Sequence, residues 1–292
     1  MPETFTTRAA FDAGFGRGGV LVPTMGALHA GHTSLIGAAR AIADELPGCP
    51  GVVATVFVNP TQFNDPSDLA RYPRDPDADA AMAFAAGADA VFAPDTDEVY
   101  PPGVEIEAPE LPRIAEGVGL EDGARPGFLR GVGQVVNRLF TLTRPAAAIF
   151  GEKDWQQLLF IEFLARERHP GLQIVRAPTI RELDGLAMAS RNRLLSDDER
   201  RRAEAVPRAL EAACAERDPA EAEQEAAGVI ARGGLEMEYT TIRDAETCGP
   251  VRADRPARVF IAARAGKTRL IDNHPWEAGC DLRVVAAQQR EG

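Results

Sequence analysis

Short apolar runs alternate with amphipathic stretches, and this alternation limits the possible folds more than any other feature of the chain. "GVLVP" (19–23), "VVATVFV" (52–58), "AVFAP" (90–94), "AAAIFG" (146–151) and "LQIVRAP" (172–178) are strand-like and apolar almost throughout. Between them, "HTSLIGAARAIADEL" (32–46) places Leu35, Ile36, Ala39, Ile42 and Leu46 at helical spacing. Residues 77–88, 131–143 and 154–168 are likewise predicted to be helical. Strands that are apolar on both faces are buried on both faces, and alternation with helices implies right-handed crossovers between parallel neighbours. Residues 1–178 are therefore predicted to form one doubly wound parallel α/β domain.

The composition shifts beyond that point. Residues 195–234 are rich in Ala, Glu and Arg. Ser196 followed by Glu199 fits a capping box, so a helix should start there, and Pro207 should break or kink it. "EYTTIRDAE" (238–246) and "ARVFIAARAG" (257–266) read as strands. Residues 179–292 are predicted to form a smaller α+β domain, with the tail after Trp276 left unassigned. "RAGKTR" (264–269) resembles half of a phosphate-binding P-loop. The glycine that motif needs would fall on Ile261, inside an apparent strand, so this reading is rejected.

The chain has 292 residues, 45% hydrophobic and 26% charged, which is ordinary for a globular protein. Its net charge of −12 repels polyanions and argues against a nucleic-acid partner; a small anionic substrate needs a local basic pocket. Cys49, Cys214, Cys248 and Cys280 form no CxxC pair, so neither a zinc cage nor a disulfide framework is expected. That cysteine usage fits a reducing cytoplasm. The first 20 residues lack a signal-peptide pattern, and no apolar stretch approaches the roughly 20 residues of a membrane helix.

The end of the first strand carries "PTMGALHAGH" (23–32), which holds two of the four histidines. In an open parallel sheet, ligands bind beyond the carboxyl ends of the strands. Gly26 permits a tight turn close to a ligand, and Gly31 sits at a helix start, where exposed amides and the dipole favour an anion. His29 and His32, three apart, fall on one side of a helical turn and can donate to that anion. The combination suits a polyphosphate. A metal site lacks a third ligand, since His169 and His274 are remote, and the GxGxxG dinucleotide fingerprint is absent.

Two further strand ends carry polar groups. "VFVNPTQF" (56–63) offers Asn59 and Gln62, uncharged groups able to fix hydroxyls or a carboxylate, although Asn-Pro is also a common turn starter. "FGEKDWQQL" (150–158) offers Gly151 for close approach, Lys153 as a compact charge for phosphate, and Asp154 as an acceptor for ribose hydroxyls. Gln157 lies three residues on, while Trp155 reads as packing; a solvated loop with an ion pair is the alternative.

The strings "PTMGALHAGHTSLI", "VFVNPTQFNDPSDLARYPR", "FGEKDWQQL", "DGLAMASRNRLLS" and "AGKTRLIDN" occur in that order between about residues 20 and 273. The first resembles the HxGH signature of nucleotidylyltransferases and class I aminoacyl-tRNA synthetases. All five together resemble the pantothenate synthetase (pantoate–β-alanine ligase) family. The resemblance implies a Rossmann-like first domain, a smaller C-terminal lid and an ATP-dependent ligase that uses Mg²⁺ and passes through pantoyl adenylate. It implies catalytic roles for His29, His32, Lys153 and Arg191. ATP would be held by Met25, His32, Gly151, Lys153, Asp154, Ser190 and Arg191. Pantoate would be held by Met25, Asn59, Gln62 and Gln157, with β-alanine as the second substrate. A cytoplasmic homodimer without a dedicated protein metal site is the family expectation.

Two positions depart from the family pattern. Ala189 stands where the usual "SSRN" begins with serine, and Phe128 stands where "GHFRGV" carries histidine. The alternatives are another HxGH-class nucleotidylyltransferase acting on a phosphorylated small molecule, or a non-catalytic nucleotide-binding module. A tRNA synthetase is disfavoured by the acidic surface and the short C-terminal region.

Overall fold

A computed structural model describes residues 2–63 and 66–277; Cys280 and most of the tail after Trp276 lie outside the described residues. The chain divides into two compact units, Met1–Ile180 and Arg181–Gly292.

The first unit is built on β1 (Glu3–Phe5), β2 (Val20–Thr24), β3 (Val52–Val56), β4 (Ala90–Phe92), β5 (Ala147–Gly151) and β6 (Gln173–Ala177). They form a six-stranded parallel sheet in the order β1-β4-β3-β2-β5-β6. The helices are α1 (Arg8–Gly14), α2 (Ala30–Glu45), α3 (Pro66–Arg71), α4 (Pro76–Ala85), α5 (Thr96–Val99), α6 (Glu121–Ala124), α7 (Phe128–Thr143) and α8 (Trp155–Arg168). This is a Rossmann-like, doubly wound arrangement. Val20, Leu21 and Val22 of β2 are all inaccessible to solvent, as expected for a strand covered on both faces. Ile36 and Ala39 of α2 pack with Val20, Val22, Val52 and Ala54 over one part of this core. Burying a side chain the size of Ile36 contributes about 1.5–3 kcal/mol.

The second unit contains α9 (Asp197–Ala203), α10 (Ala205–Ala215), α11 (Pro219–Arg232), β7 (Glu236–Asp244), β8 (Ala257–Ala265) and β9 (Thr268–Trp276). The strands form an antiparallel sheet in the order β7-β8-β9. Ser196 and Glu199 form the expected reciprocal capping box on α9. The helix break falls at Glu204, so Pro207 lies in the first turn of α10, where its missing N–H leaves no bond unmade. Trp276 closes this core, its indole N–H donating to the carbonyl of Ala213 at 2.9 Å. "RAGKTR" is the β8–β9 hairpin, not a phosphate loop.

Six elements exceed the sequence expectation: the short helices α3, α5 and α6, together with β1, α1 and β9. β1 is three residues at a sheet edge, α1 is seven residues long, and β9 interleaves polar and apolar residues. Among the described residues, no helix is long and apolar enough to cross a membrane.

Asp122 of α6 organises the approach to α8. Its carboxylate accepts from the backbone amides of Gly117, Val118, Gly119 and Leu120 and from Gln156 Nε2, at 2.8–3.1 Å. Burial pushes its pKa up, but the donors from Gln156, Gly117, Gly119 and Leu120 outweigh burial and hold it at about 2, against 3.8. A carboxyl depressed in this way stabilises the fold fully above its unfolded pKa, and the stabilisation fades as pH falls toward the folded value. Asp122→Asn should therefore melt below wild type at neutral pH, and the gap should close between pH 3.8 and about 2. Thermal melts of both proteins across that range check this.

Candidate active site

The order of strands reverses between β2 and β5: β3 and β4 extend to one side of β2, and β5 and β6 to the other. Ligands of open α/β sheets bind in the crevice at the carboxyl ends beside such a reversal. Three segments leave the sheet there, after β2, β3 and β5, and they carry the predicted residues of the first unit.

After β2 the backbone turns through two left-handed residues, Gly26 (φ 79°) and Ala27 (φ 51°). Gly26 is required twice over, because a side chain there would lie 2.6 Å from Asp79 Oδ2. Asp79 projects from α4 and is buried, with 4% of its surface exposed. Its two oxygens accept from the amides of Ala27 at 2.9 Å and Leu28 at 2.8 Å. Thr24 secures the strand end, its hydroxyl donating to the carbonyl of Thr55 at 2.6 Å and accepting from the Gly26 amide at 3.1 Å.

This anchored loop delivers His29 to the N-cap of α2. His29 Nδ1 accepts from the Gly31 amide at 3.1 Å, so the neutral ring carries its proton on Nε2. The sequence suggested a helix opening at His32, with the Gly31 amide facing the ligand. Instead α2 opens at Ala30 and His29 itself engages that amide. The rings of His29 and His32 lie 4.0 Å apart, tilted by 41°, so the two imidazoles form one unit.

After β3, Asn59 and Gln62 are both buried. Asn59 Nδ2 donates to Gln62 Oε1 and to the Gly131 carbonyl, each at 3.1 Å. Asn59 Oδ1 accepts from the Tyr100 hydroxyl at 2.8 Å and from the Thr61 amide at 3.3 Å. With both ends engaged, Asn59 is placed to orient Gln62. Gln62 Nε2 lies 2.9 Å from Met25 Sδ, which brings the loops after β2 and β3 together. α7 presses against this turn at Gly131, where a Cβ would meet the Thr61 carbonyl oxygen at 2.4 Å.

After β5, Gly151 leads into a single 3₁₀ turn, Glu152–Asp154. Lys153 Nζ lies 3.9 Å from Asp154 Oδ2, and their side chains retain 21% and 41% of their exposure, enough to meet a ligand. Trp155 is buried beneath the Arg176 guanidinium, 4.8 Å over its ring, and packs as expected. Gln157 is half-buried. Its neighbour Gln156 is buried, accepting from the Glu121 amide and donating to the Ile114 carbonyl and Asp122, so it is structural.

Phe128, the departure from histidine, is buried and forms the platform for Arg125, whose guanidinium carbon lies 3.5 Å over the ring centroid. Arg125 Nη2 also donates to the Gln62 carbonyl at 3.4 Å. Ser190 and Arg191 belong to the second unit, where they open a 3₁₀ turn, Ser190–Leu194, and are half-buried.

Sequence reasoning missed Asp79, Tyr100 and Arg125. Asp79 left a signal: it sits four residues before the buried Ala83, on the inward stripe of α4. Among the described residues, no group of three or more His, Cys, Asp or Glu side chains is placed to hold a metal ion.

A parallel sheet with a histidine-capped helix and a lysine turn at its reversal defines a Rossmann-like nucleotide-binding protein of the HxGH type. The family model described as pantoate-beta-alanine ligase matches residues 6–275. A pantothenate synthetase of Thioalkalivibrio sulfidiphilus is 46% identical over 94% of this chain and 97% of its own length. The crystal structure of pantothenate synthetase from Thermus thermophilus superposes with a TM-score of 0.84 at 40% identity, covering 93% of this chain and 98% of its own. The pantoate-beta-alanine ligase of Francisella tularensis, complexed with beta-gamma ATP and beta-alanine, has a TM-score of 0.78 at 30% identity, covering 94% and 98%. The chain belongs to the pantoate–β-alanine ligase family.

Asp79→Asn would set an amide group against one of the two backbone amides that the carboxylate now satisfies. The expected cost is about 1–3 kcal/mol of stability. Denaturant unfolding measures it, and ATP affinity should weaken in the same variant because the loop carrying His29 loosens.

Proposed function

We propose that this chain joins pantoate to β-alanine, with ATP cleaved to AMP and pyrophosphate through pantoyl adenylate. The observation that carries the reading is the placement of the His29–His32 pair and the Lys153 turn after β2 and β5, two adjacent parallel strands, in a chain of this family. A carboxylate is ionised near neutral pH, so the first step needs no strong base. One oxygen of the pantoate carboxylate attacks the α-phosphorus, and the bond to pyrophosphate breaks.

That step needs in-line placement and neutralisation of charge on the leaving group. His29 Nε2–H, His32 and Lys153 are assigned to the phosphates, with Gly151 allowing close approach. Asp154 is assigned to the ribose hydroxyls. Ser190 and Arg191 of the second unit are assigned as further phosphate donors, where Ala189 supplies no hydroxyl. Gln62, oriented by Asn59, and Gln157 are assigned to pantoate, with Met25 as apolar lining. Mg²⁺ is assigned to the phosphates of ATP, where it would share charge neutralisation and need few protein ligands.

In the second step the neutral amine of β-alanine attacks the acyl carbon, and AMP leaves. A cytoplasmic homodimer is the assembly and location we infer from the family resemblance.

The test is product analysis. ATP, Mg²⁺ and pantoate should yield AMP and pyrophosphate, and pantothenate should follow when β-alanine is added. No pantoate-dependent AMP from the wild type would reject the reading. His32→Ala and Lys153→Ala should each lower AMP formation by about 10²–10³ while the protein stays folded. Gly131→Ala should raise the KM for pantoate more than the KM for ATP, because the added methyl displaces the turn that holds Gln62.

A further inference from the structure

The string "RLIDN" (269–273) falls on β9, in the second unit, and no step of the reaction uses it. Its Asp272 is an acid whose side chain is wholly shielded from solvent. The carboxylate receives two bonds from Arg181, at 2.6 and 3.0 Å, together with the Asn273 amide at 2.8 Å. A fully buried acid on a strand of a small sheet is costly unless paired, and this pair has the fork geometry that makes such pairing strong. Replacing both partners by apolar residues would serve stability as well, so stability alone does not account for them.

The position of Arg181 supplies an account. Arg181 begins the segment that leads to Ser190 and Arg191. Its Nη1 also donates to the Gly185 carbonyl at 3.0 Å, and its backbone bridges Ala187 in antiparallel fashion. The turn between them is closed by the Glu182 amide on the Leu186 carbonyl and the Gly185 amide on the Glu182 carbonyl. Glu182 then reaches forward, accepting from Asn192 Nδ2 at 2.8 Å, and the same amide donates to the Ala187 carbonyl at 3.0 Å. Arg200 of α9 pins the far side, pairing with Glu182 at 2.7 Å and Asp184 at 2.6 Å. Ser190 and Arg191 thus sit on a segment gripped before and after, with its base locked to the buried Asp272.

We propose that Asp272 is a positioning residue for the phosphate-binding segment 188–192, acting through Arg181, with Glu182 and Asn192 as the second grip. Asp272 never meets the nucleotide. It fixes the guanidinium that fixes the turn, and the turn sets where Ser190 and Arg191 present their donors. This rests on the assignment of Ser190 and Arg191 to the phosphates.

Steady-state kinetics of Asp272→Asn and Glu182→Gln test it. Asp272→Asn nearly keeps the shape and removes the charge. Glu182→Gln changes a half-exposed group and leaves the buried pair intact, so it serves even if the first variant fails to fold. Each should raise the KM for ATP by about 10–100-fold while the KM for β-alanine stays near wild type. In an Arg191→Ala background the same substitutions should add less than about threefold, because the group they position is gone. Unchanged ATP kinetics in both variants would overturn the proposal. So would a drop in kcat with no change in KM, or an undiminished effect in the Arg191→Ala background. A wild type that forms no AMP from ATP and pantoate would reject the functional reading and this inference together. An active wild type matched by both variants would reject this inference alone.

Discussion

The site depends on one buried carboxylate. Asp79 holds the amides of Ala27 and Leu28, and this lets a non-glycine residue stay in the left-handed region immediately after the strand. A conformation of that kind costs of order 1–3 kcal/mol and persists only where its surroundings over-determine it. Asp79, the hydroxyl of Thr24 and the missing side chain of Gly26 do so together. Their product is the position of His29, which caps α2 through Nδ1 and thereby keeps its proton on Nε2. Local backbone chemistry thus sets the tautomer of the histidine proposed to donate to phosphate.

The same division of labour recurs around the site. Residues proposed to face substrate are held by buried neighbours. Gln62 is held by Asn59, which is held in turn by Tyr100 and Gly131. The start of α8, ahead of Gln157, is held by Gln156 and Asp122. An acidic chain needs such a scheme. With a net charge of −12, attraction for a triphosphate cannot come from the surface as a whole. It must come from a few cations and oriented N–H groups kept in fixed directions.

Much of this was legible in the sequence, and the illegible parts have physical reasons. β2, β3, β4 and β5 showed as continuous apolar runs because both faces of the sheet are covered there. The capping box at Ser196 showed because its chemistry is local. β1 was hidden because three residues at an edge carry no period. β9 was hidden because polar Asp272 and Asn273 point into buried ion-pair and amide networks, which breaks the usual in-and-out pattern. Nothing in "NPTQF" reveals that Gly131 and Tyr100 engage the two ends of the Asn59 amide, so its place in orienting Gln62 was hidden. Asp79 looked like one more acid in "DPDADA", because its partners are amides 51 and 52 residues away. Long-range contacts to main-chain groups leave no residue-type signature.

The central claim is that a carboxylate is activated by transfer of adenylate at the reversal of the parallel sheet. Isotope transfer tests it most directly. Pantoate labelled with ¹⁸O in its carboxylate should pass one labelled oxygen to the phosphate of AMP and keep the other in the amide of pantothenate. AMP free of label, or label in the pyrophosphate, would contradict adenylate formation.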